Sequence, residues 1–408
     1  MNLFPLLRPM ILLVGLAVSI TGCTSGVVRP AVAPVAARPS ATTLAARPAP
    51  THGASATSAQ ALGPQPHHLS TIPVPGRPYR TLAFKPVTGY TASTLTTDGR
   101  VLLLCLIQAG SAERGICTID PATGKQQLVV PAPAGGGQLG AAVGSGAWIV
   151  YARLDSPQRV LAQNLVTNEQ IEVGRITAER VSSPVGPAYA IAGTNIVWVD
   201  EAKQADETPV ETVKLFDLRD RTTRDLATLA PSFVVDQISI ADTMIAWSQV
   251  DVHDAANVTS NVHVYQLETG QQQALTQDGR ASMPAIFGPY VVWKTTASRF
   301  AYGSIYLYNL TTGAGQEIAH ADPHGQPMPT GYDMPSIGAR GVTWLSALNE
   351  RILLYHPEDG TTETVDHGGG KALTAGNYLI WINDSVTRRG DWHLLWSDLA
   401  APSDGHKR

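Results

Sequence analysis

The sequence predicts an all-β propeller, and three observations support this prediction. Four short β-type runs, rich in Val, Ile, Tyr and Trp and separated by turn residues, recur as a unit, for example in residues 282–319. From Trp148 to Trp344 the tryptophans recur about every fifty residues, which suits a four-stranded repeat. The second run of each unit is continuously apolar, which is typical of strands covered on both faces. Propeller blades are covered in this way by their neighbours.

The second and third strands of the repeat indicate seven units. Second strands are predicted at residues 101–105, 147–151, 196–200, 244–247, 290–293, 341–344 and 378–381, and third strands at 115–119, 160–165, 213–218, 262–267, 305–310, 352–355 and 392–396. The first unit's inner strand is expected near residues 90–97. The seventh unit lacks an outer strand, so we expect residues 79–86 to complete it and close the ring. Six blades is the alternative if residues 137–175 do not form a full blade.

The N-terminus has the features of a secretory signal. An apolar run from Met10 to Ile20 is shorter than the roughly 20 residues that a membrane-spanning helix needs. It ends in Ile20-Thr21-Gly22-Cys23, which resembles the lipobox of bacterial lipoproteins. The resemblance implies cleavage before Cys23, acylation of Cys23, and attachment to membrane lipid outside the cytoplasm, at the cell surface or in the periplasm. Residues 1–22 are then the signal peptide.

Composition divides the rest of the chain into a tether and a head. Residues 23–78 are rich in Pro, Ala and Thr and are predicted to be a disordered tether, because they cannot bury a core. Residues 79–400 form the predicted propeller, and residues 401–408 a disordered tail. Residues 1–78 hold five of the 29 basic residues and none of the 33 acidic ones, so the remainder has a formal charge of −9. An acidic head without a basic stripe argues against a nucleic-acid partner.

The repeat also resembles a known family. Pro-x-Ile-x-Gly, an apolar strand ending in Trp, and Ile305-Tyr-Leu-Tyr-Asn-Leu-Thr-Thr-Gly313 look like the TolB-like propeller repeats of bacterial and archaeal surface proteins. The likeness extends over residues 79–400. It implies a propeller that works outside the cytoplasm.

Long loops predict where a site would lie. The second-to-third loops and the links between units fall on one side of the ring, and loops on a rigid scaffold commonly carry binding residues. The candidate binding residues are Glu201, Asp206, Glu207, Asp251, His253, Asp254, Arg299, Asp322, His324, Asp384, Arg388 and Arg389. The acidic loops near Glu201 and Asp251 could bind Ca²⁺, but their spacing matches no calcium loop, so solvated carboxylates are expected and no metal is predicted.

The sequence carries no recognisable catalytic motif or cofactor fingerprint, so neither a catalytic residue nor a cofactor is assigned. The predicted function is a lipid-anchored, monomeric propeller that binds a protein, peptide or glycan through the long-loop face. The alternatives are a hydrolase or lyase with His, Asp and Arg side chains around a central pocket, or a structural subunit of an envelope complex.

Cys105 and Cys117 form an even pair in an oxidising compartment. Their predicted strands, paired about Ser111, place them directly opposite each other. We therefore predict a disulfide between them, the alternative being two buried thiols.

Overall fold

The computed structural model describes residues 80–84, 94–106, 114–119, 126–133, 137–155, 157–176, 188–203, 209–254, 257–296, 301–322, 324, 330–347, 350–367, 369–383 and 392–398. All regular secondary structure in these ranges is β-strand. The strands form four-stranded sheets arranged as a propeller, so the predicted fold class is confirmed.

Seven such sheets are formed by the described strands, which we number in chain order. Sheet 1 contains β2 (Thr94–Leu95), β3 (Val101–Leu106), β4 (Arg114–Ile119) and β5 (Gln126–Val130), and sheet 2 contains β6 (Val143–Ser145), β7 (Trp148–Arg153), β8 (Gln158–Asn164) and β9 (Gln170–Ile176). Sheet 3 contains β10 (Tyr189–Ala192), β11 (Asn195–Lys203), β12 (Pro209–Asp217) and β13 (Thr222–Thr228), and sheet 4 contains β14 (Phe233–Ala241), β15 (Met244–Asp251), β16 (Thr259–Gln266) and β17 (Gln271–Ala274). Sheet 5 contains β18 (Ala281–Phe287), β19 (Tyr290–Thr295), β20 (Ser304–Asn309) and β21 (Ala314–Ala319), and sheet 6 contains β22 (Tyr332–Gly338), β23 (Gly341–Ser346), β24 (Arg351–His356) and β25 (Thr361–His367). Sheet 7 contains β26 (Gly369–Ala375), β27 (Tyr378–Asn383), β28 (Trp392–Asp398) and β1 (Arg80–Phe84).

The pairings resolve the one unit that the sequence analysis left in doubt. Residues 137–175, considered as an incomplete blade, contribute all four strands of sheet 2. In sheet 1 the first strand is only Thr94–Leu95, and residues 90–93 of its expected range lie outside the described residues.

The N-terminal strand closes the last sheet, as predicted. β1 pairs antiparallel with β28, from Arg80 opposite Trp396 to Phe84 opposite Trp392. The outer strand of sheet 7 therefore comes from the opposite end of the sequence from its other three strands.

The hydrophobic core is divided among the interfaces between adjacent sheets. The described residues form seven buried clusters, and each cluster joins one sheet to the next. The cluster containing Leu95 and Ile380 joins sheet 1 to sheet 7. Because a single sheet cannot cover its own faces, the closed sequence of interfaces is what stabilises each sheet.

The second strands explain why the apolar runs are continuous. In β19 the central residues Val291, Val292 and Trp293 are all buried, although successive side chains point to opposite faces. Both faces are therefore covered by neighbouring sheets, as the unbroken apolar pattern predicts.

The first strands of sheets 4, 5, 6 and 7 share a bulge. Pairing with the second strand shifts register between Val235 and Ile238, Ser282 and Ala285, Asp333 and Ser336, and Gly369 and Ala372. In sheets 5 and 6 the bulged pairs are Met283-Pro284 and Met334-Pro335, with the methionines at φ 56° and 53°. Proline lacks a backbone N–H for the ladder, so a bulge is where a strand tolerates it.

The disulfide has a different register from the one predicted. Cys105 and Cys117 are linked, with Cα atoms 5.8 Å apart. However, Cys105 pairs with Gly115 and Leu103 pairs with Cys117, so the cysteines are diagonal neighbours and not directly opposite. The observed pairing of β3 with β4 differs by two positions from the predicted one.

None of the described segments is a helix able to span a membrane.

Candidate functional site

The topology gives the ring two different sides. On the turn side lie the tight turns between first and second strands and between third and outer strands. On the loop side lie the second-to-third loops and the links between sheets. Every sequence-predicted binding residue that the structure describes belongs to the loop side, at the ends of strands or in the loops that follow them.

The prediction of a solvated carboxylate is wrong for Glu201, at the start of the acidic loop of sheet 3. Glu201 and Glu211 are register partners in β11 and β12, and their side chains are only 6% and 2% exposed. Glu211 Oε2 accepts a hydrogen bond from the backbone N–H of Val235 in sheet 4, at 2.5 Å. Glu211 therefore belongs to the contact between sheets 3 and 4, and Glu201 is its buried register partner. A sequence pattern of exposed-type residues could not reveal this, because the partner is on another sheet.

The acidic loop of sheet 4 lies at the surface. His253 and Asp254 are exposed, and Asp251 is half-buried at the end of β15. Asp251 Oδ1 accepts the backbone N–H of His253 at 2.9 Å, and Asp254 Oδ2 accepts the Asn257 side-chain amide at 2.7 Å. The two carboxylates thus stabilise the turn and still present charge to the solvent.

The link between sheets 5 and 6 carries the next pair. Asp322 and His324 are exposed, and Asp322 Oδ1 accepts the His324 backbone N–H at 3.0 Å. Thr330 closes this link, because its Oγ1 accepts the Asp322 N–H and its own N–H donates to the Asp322 carbonyl.

The remaining predicted residues cannot be placed. Cys23, Asp206, Glu207, Arg299, Asp384, Arg388 and Arg389 lie outside the described residues, as do residues 1–78 and 401–408. Within the described ranges, no three His, Cys, Asp or Glu side chains come together in a metal-binding group.

Sequence reasoning missed an apolar feature of the loop side. Four large apolar side chains are exposed among the described residues, and two of them, Val252 (38%) and Tyr302 (49%), lie on the loop side of sheets 4 and 5. A chain of short contacts connects the two loops. Asp251 in β15 is the register partner of Thr259 in β16. The next residue, Ser260, forms an isolated β-bridge with Arg280. The Arg280 carbonyl accepts the Thr296 N–H at 3.0 Å, and Thr296 Oγ1 donates to the Tyr302 carbonyl at 3.4 Å.

We call Val252, Tyr302 and the adjacent Asp254 the loop-side patch. A local sequence pattern does not find it, because Val252 and Tyr302 are far apart in sequence and only the topology of the ring places their loops on the same side.

A buried ion pair lies beneath the same side of the ring. Lys294, 1% exposed in β19, donates from Nζ to Asp333 Oδ1 of sheet 6 at 2.8 Å. Asp333 Oδ1 also accepts the backbone N–H of Met334 at the bulge. The pair joins sheets 5 and 6 and was not identified from the sequence, where the two residues are 39 positions apart.

An axial channel of about 510 Å³ runs inside the ring, and all seven first strands contribute to its wall. Aliphatic and hydroxyl side chains dominate the lining, and Asp242 is its one charged residue among those described. The first strands are joined across sheets by serines: Ser145, Ser239 and Ser336 accept the backbone N–H groups of Gly193, Ile286 and Thr374 at 3.0, 3.3 and 3.1 Å. The catalytic alternative predicted clustered His, Asp and Arg here, whereas this wall offers mainly apolar contacts and neutral hydrogen bonds.

Burial also changes the acidity of single groups around the ring. Desolvation lowers the pKa of His263, whose ring stacks on Trp247 with centroids 5.7 Å apart. Burial raises the pKa of Asp200, and Lys214 Nζ, 3.5 Å from its carboxylate, partly offsets that rise. Desolvation lowers the pKa of Lys371 at the bulge of β26. These groups lie in different sheets and do not form one reacting cluster.

The fold and the sites together define a closed β-propeller with a loop side and an axial channel, and solved propellers resemble it. A prolyl endopeptidase matches with a TM-score of 0.56 at 14% identity, over 79% of this chain and 47% of that chain. The β-propeller domain of the Trilobed protease from Pyrococcus furiosus, described as having an open velcro topology, matches with a TM-score of 0.53 at 10% identity, over 76% and 96%.

TolB from Acinetobacter baumannii is also among the similar structures, with a TM-score of 0.41 at 11% identity, over 74% of this chain and 64% of TolB. The chain therefore spans less than two thirds of TolB and about half of the endopeptidase. At these identities the likeness shows the fold alone. No family model and no curated protein matches the sequence.

Proposed function

We propose that this chain is a lipid-anchored protein of the bacterial cell envelope whose propeller binds a protein partner through the loop side. Acylation of Cys23 attaches the chain to membrane lipid, and residues 24–78 give the head reach from the membrane. The observation that supports partner binding is the loop-side patch, in which Val252 and Asp254 are exposed in one loop and Tyr302 is exposed in the corresponding loop of the next sheet.

The composition of the patch suits a protein interface. Aromatic side chains are enriched among residues that dominate binding energy, and polar residues surround them at interface rims. Tyr302 is half-exposed, so a partner could bury most of its ring without unfolding the loop. The patch is supported by strands β15, β16 and β19, whose cores are buried, so binding would not require the ring to rearrange.

Cross-linking in intact membranes tests the partner. The full chain is expressed in its native envelope, and cross-linked products are compared between the wild type and the double variant Val252→Ser/Tyr302→Ser. Val166→Ser is the matched control, because Val166 is 73% exposed on the turn side of sheet 2. We expect the double variant to lose a cross-linked protein that the control retains. If both variants keep the same products as the wild type, the loop-side patch is not the binding surface.

Fractionation tests the anchor separately. Cys23→Ser removes the acylated sulfur, so we expect the protein to move from the membrane fraction to the soluble fraction. Ser40→Ala, a change within the tether, should leave it in the membrane fraction. Equal membrane retention of Cys23→Ser and the control would remove the lipid-anchor proposal.

A further inference from the structure

A second surface feature lies on the turn side, between sheets 4 and 5. This groove has a volume of about 720 Å³, which is within the range of small-ligand sites. Its walls come from the first-to-second turns at Thr243 and Pro289 and from residues flanking the third-to-outer turns, including Gln266, Gln271 and Thr311. We call it the glutamine groove.

Two amides of the outer strand, those of Gln271 and Gln273, point to a ligand-binding role, because they share the face of sheet 4 on which Val264 packs toward sheet 5. Gln271, Gln272 and Gln273 in β17 are exposed, and their side-chain amides make no hydrogen bond to any described residue. Two glutamines in the outer strands of other sheets are engaged within the protein: Gln170 Nε2 donates to the Tyr151 hydroxyl at 2.6 Å, and Gln316 Nε2 donates to the Tyr355 hydroxyl at 2.9 Å. The amides of β17 are therefore available to an external group.

The groove is also uncharged. Its described lining contains amide, hydroxyl and aliphatic side chains and no Asp, Glu, Lys or Arg. The corresponding groove between sheets 3 and 4 is smaller, about 350 Å³, and is lined by Asp217, Asp220, Arg224 and Glu268. Both interfaces between sheets therefore form a groove on the turn side, but of these two only the groove between sheets 4 and 5 has a neutral, glutamine-rich lining.

Apolar side chains complete the groove. Met244, Val264, Pro289 and Leu310 line it together with the amides. Val264 is 4% exposed and belongs to the buried cluster between sheets 4 and 5, so this part of the wall is held by the core.

We propose that the glutamine groove binds an uncharged oligosaccharide. Sugar hydroxyls donate and accept hydrogen bonds, and each free amide can do both, as can the hydroxyls of Thr243 and Thr311. The C–H faces of sugar rings can pack on the aliphatic wall. A charged ligand would find no counter-ion in the described lining, so its desolvation would oppose binding. This site lies on the opposite side of the ring from the loop-side patch and does not depend on the proposed function.

Titration of the full chain tests the site. The probes are the uncharged hexasaccharides maltohexaose, cellohexaose and chitohexaose, with a hyaluronan hexasaccharide as the acidic comparison, followed by calorimetry or ligand-observed NMR. We expect at least one uncharged probe to bind with a dissociation constant on the order of 1 mM or tighter. The double variant Gln271→Ala/Gln273→Ala should weaken that binding by about tenfold, because two hydrogen-bonding groups are lost.

Gln127→Ala is the matched control, since Gln127 is an exposed outer-strand glutamine in sheet 1. It should change binding less than twofold, and circular dichroism should show that all variants are folded. Three results would each overturn the proposal: no uncharged probe binds, binding is equal in the double variant and the control, or the acidic probe binds more tightly than every uncharged one. Partner cross-linking lost through Val252→Ser/Tyr302→Ser leaves these titrations unchanged, so the two proposals fail separately.

Discussion

Closure of the ring between sheets 7 and 1 depends on a glycine. Gly376 lies in the turn after β26 at φ +53°, and a Cβ placed there would be 2.5 Å from the carbonyl oxygen of Thr97 in sheet 1. Real Cβ atoms do not approach a backbone oxygen so closely. We predict that Gly376→Ala pushes sheets 7 and 1 apart at this point.

The expected loss of stability has two contributions, and glycines at the same turn position in other sheets provide a control for the first. Placing an L-residue in the left-handed region costs about 1–2 kcal/mol. Gly193 and Gly146 occupy the same turn position in sheets 3 and 2, at φ +57° and +56°, and an added Cβ at either glycine would meet nothing within 4 Å. Gly193→Ala and Gly146→Ala should show only this backbone cost. Gly376→Ala should add about 1–3 kcal/mol for the displaced backbone.

Urea unfolding of the full chain, followed by tryptophan fluorescence, measures the difference. The three variants are compared at equal m-values, so that a shift in midpoint reports stability. A loss for Gly376→Ala that equals the loss for the two controls would refute the close approach between sheets 7 and 1.

Three further predictions concern buried groups. Lys294→Met leaves the mostly buried Asp333 carboxylate without its ammonium partner, so the free energy of unfolding in urea should fall by about 3–5 kcal/mol; the double variant Lys294→Met/Asp333→Leu should recover much of the loss, and no recovery would contradict the assigned pair. Because burial lowers the folded-state pKa of His263, its contribution to stability is present above the unfolded pKa of about 6.5 and is lost as pH falls toward the folded value; the wild type should therefore lose more stability between pH 7.5 and 5.5 than His263→Gln, and equal losses would assign the effect elsewhere. Cys105→Ala/Cys117→Ala removes a cross-link between residues 12 positions apart and should cost about 2–4 kcal/mol; detection of two free thiols by mass spectrometry of the unreduced wild type would contradict the disulfide.

Local patterns were enough to find the strands. The apolar run at 290–293 and the alternating run at 305–310 correspond to β19 and β20. Such runs identify strands because Val, Ile and Trp are enriched in pleated strands that neighbouring sheets cover. The strand that closes the ring could also be predicted. The last four-stranded unit lacks one strand at the C-terminal end of the sequence, so a strand from the N-terminal end must complete it.

Side-chain contacts between different sheets could not be predicted from local patterns. The Lys294–Asp333 pair and the hydrogen bond from Val235 to Glu211 depend on which residues of two different sheets meet, and neighbouring positions in the sequence do not reveal such pairs. For the same reason the free amides of β17 could not be distinguished from Gln316, whose amide is bound by a tyrosine hydroxyl of the next sheet.

Both proposed sites depend on the same interface. The loop-side patch and the glutamine groove lie at opposite ends of sheets 4 and 5, which share a buried cluster containing Val262, Val264 and Trp293. A surface change such as Tyr302→Ser or Gln273→Ala should therefore affect one site only. A core change such as Val291→Ala, at a fully buried position of that cluster, leaves a cavity between the sheets and should weaken both sites together. Since each cluster joins only two sheets, the same kind of change at Ile149, between sheets 1 and 2, should destabilise the ring but leave the affinity of each site unaltered.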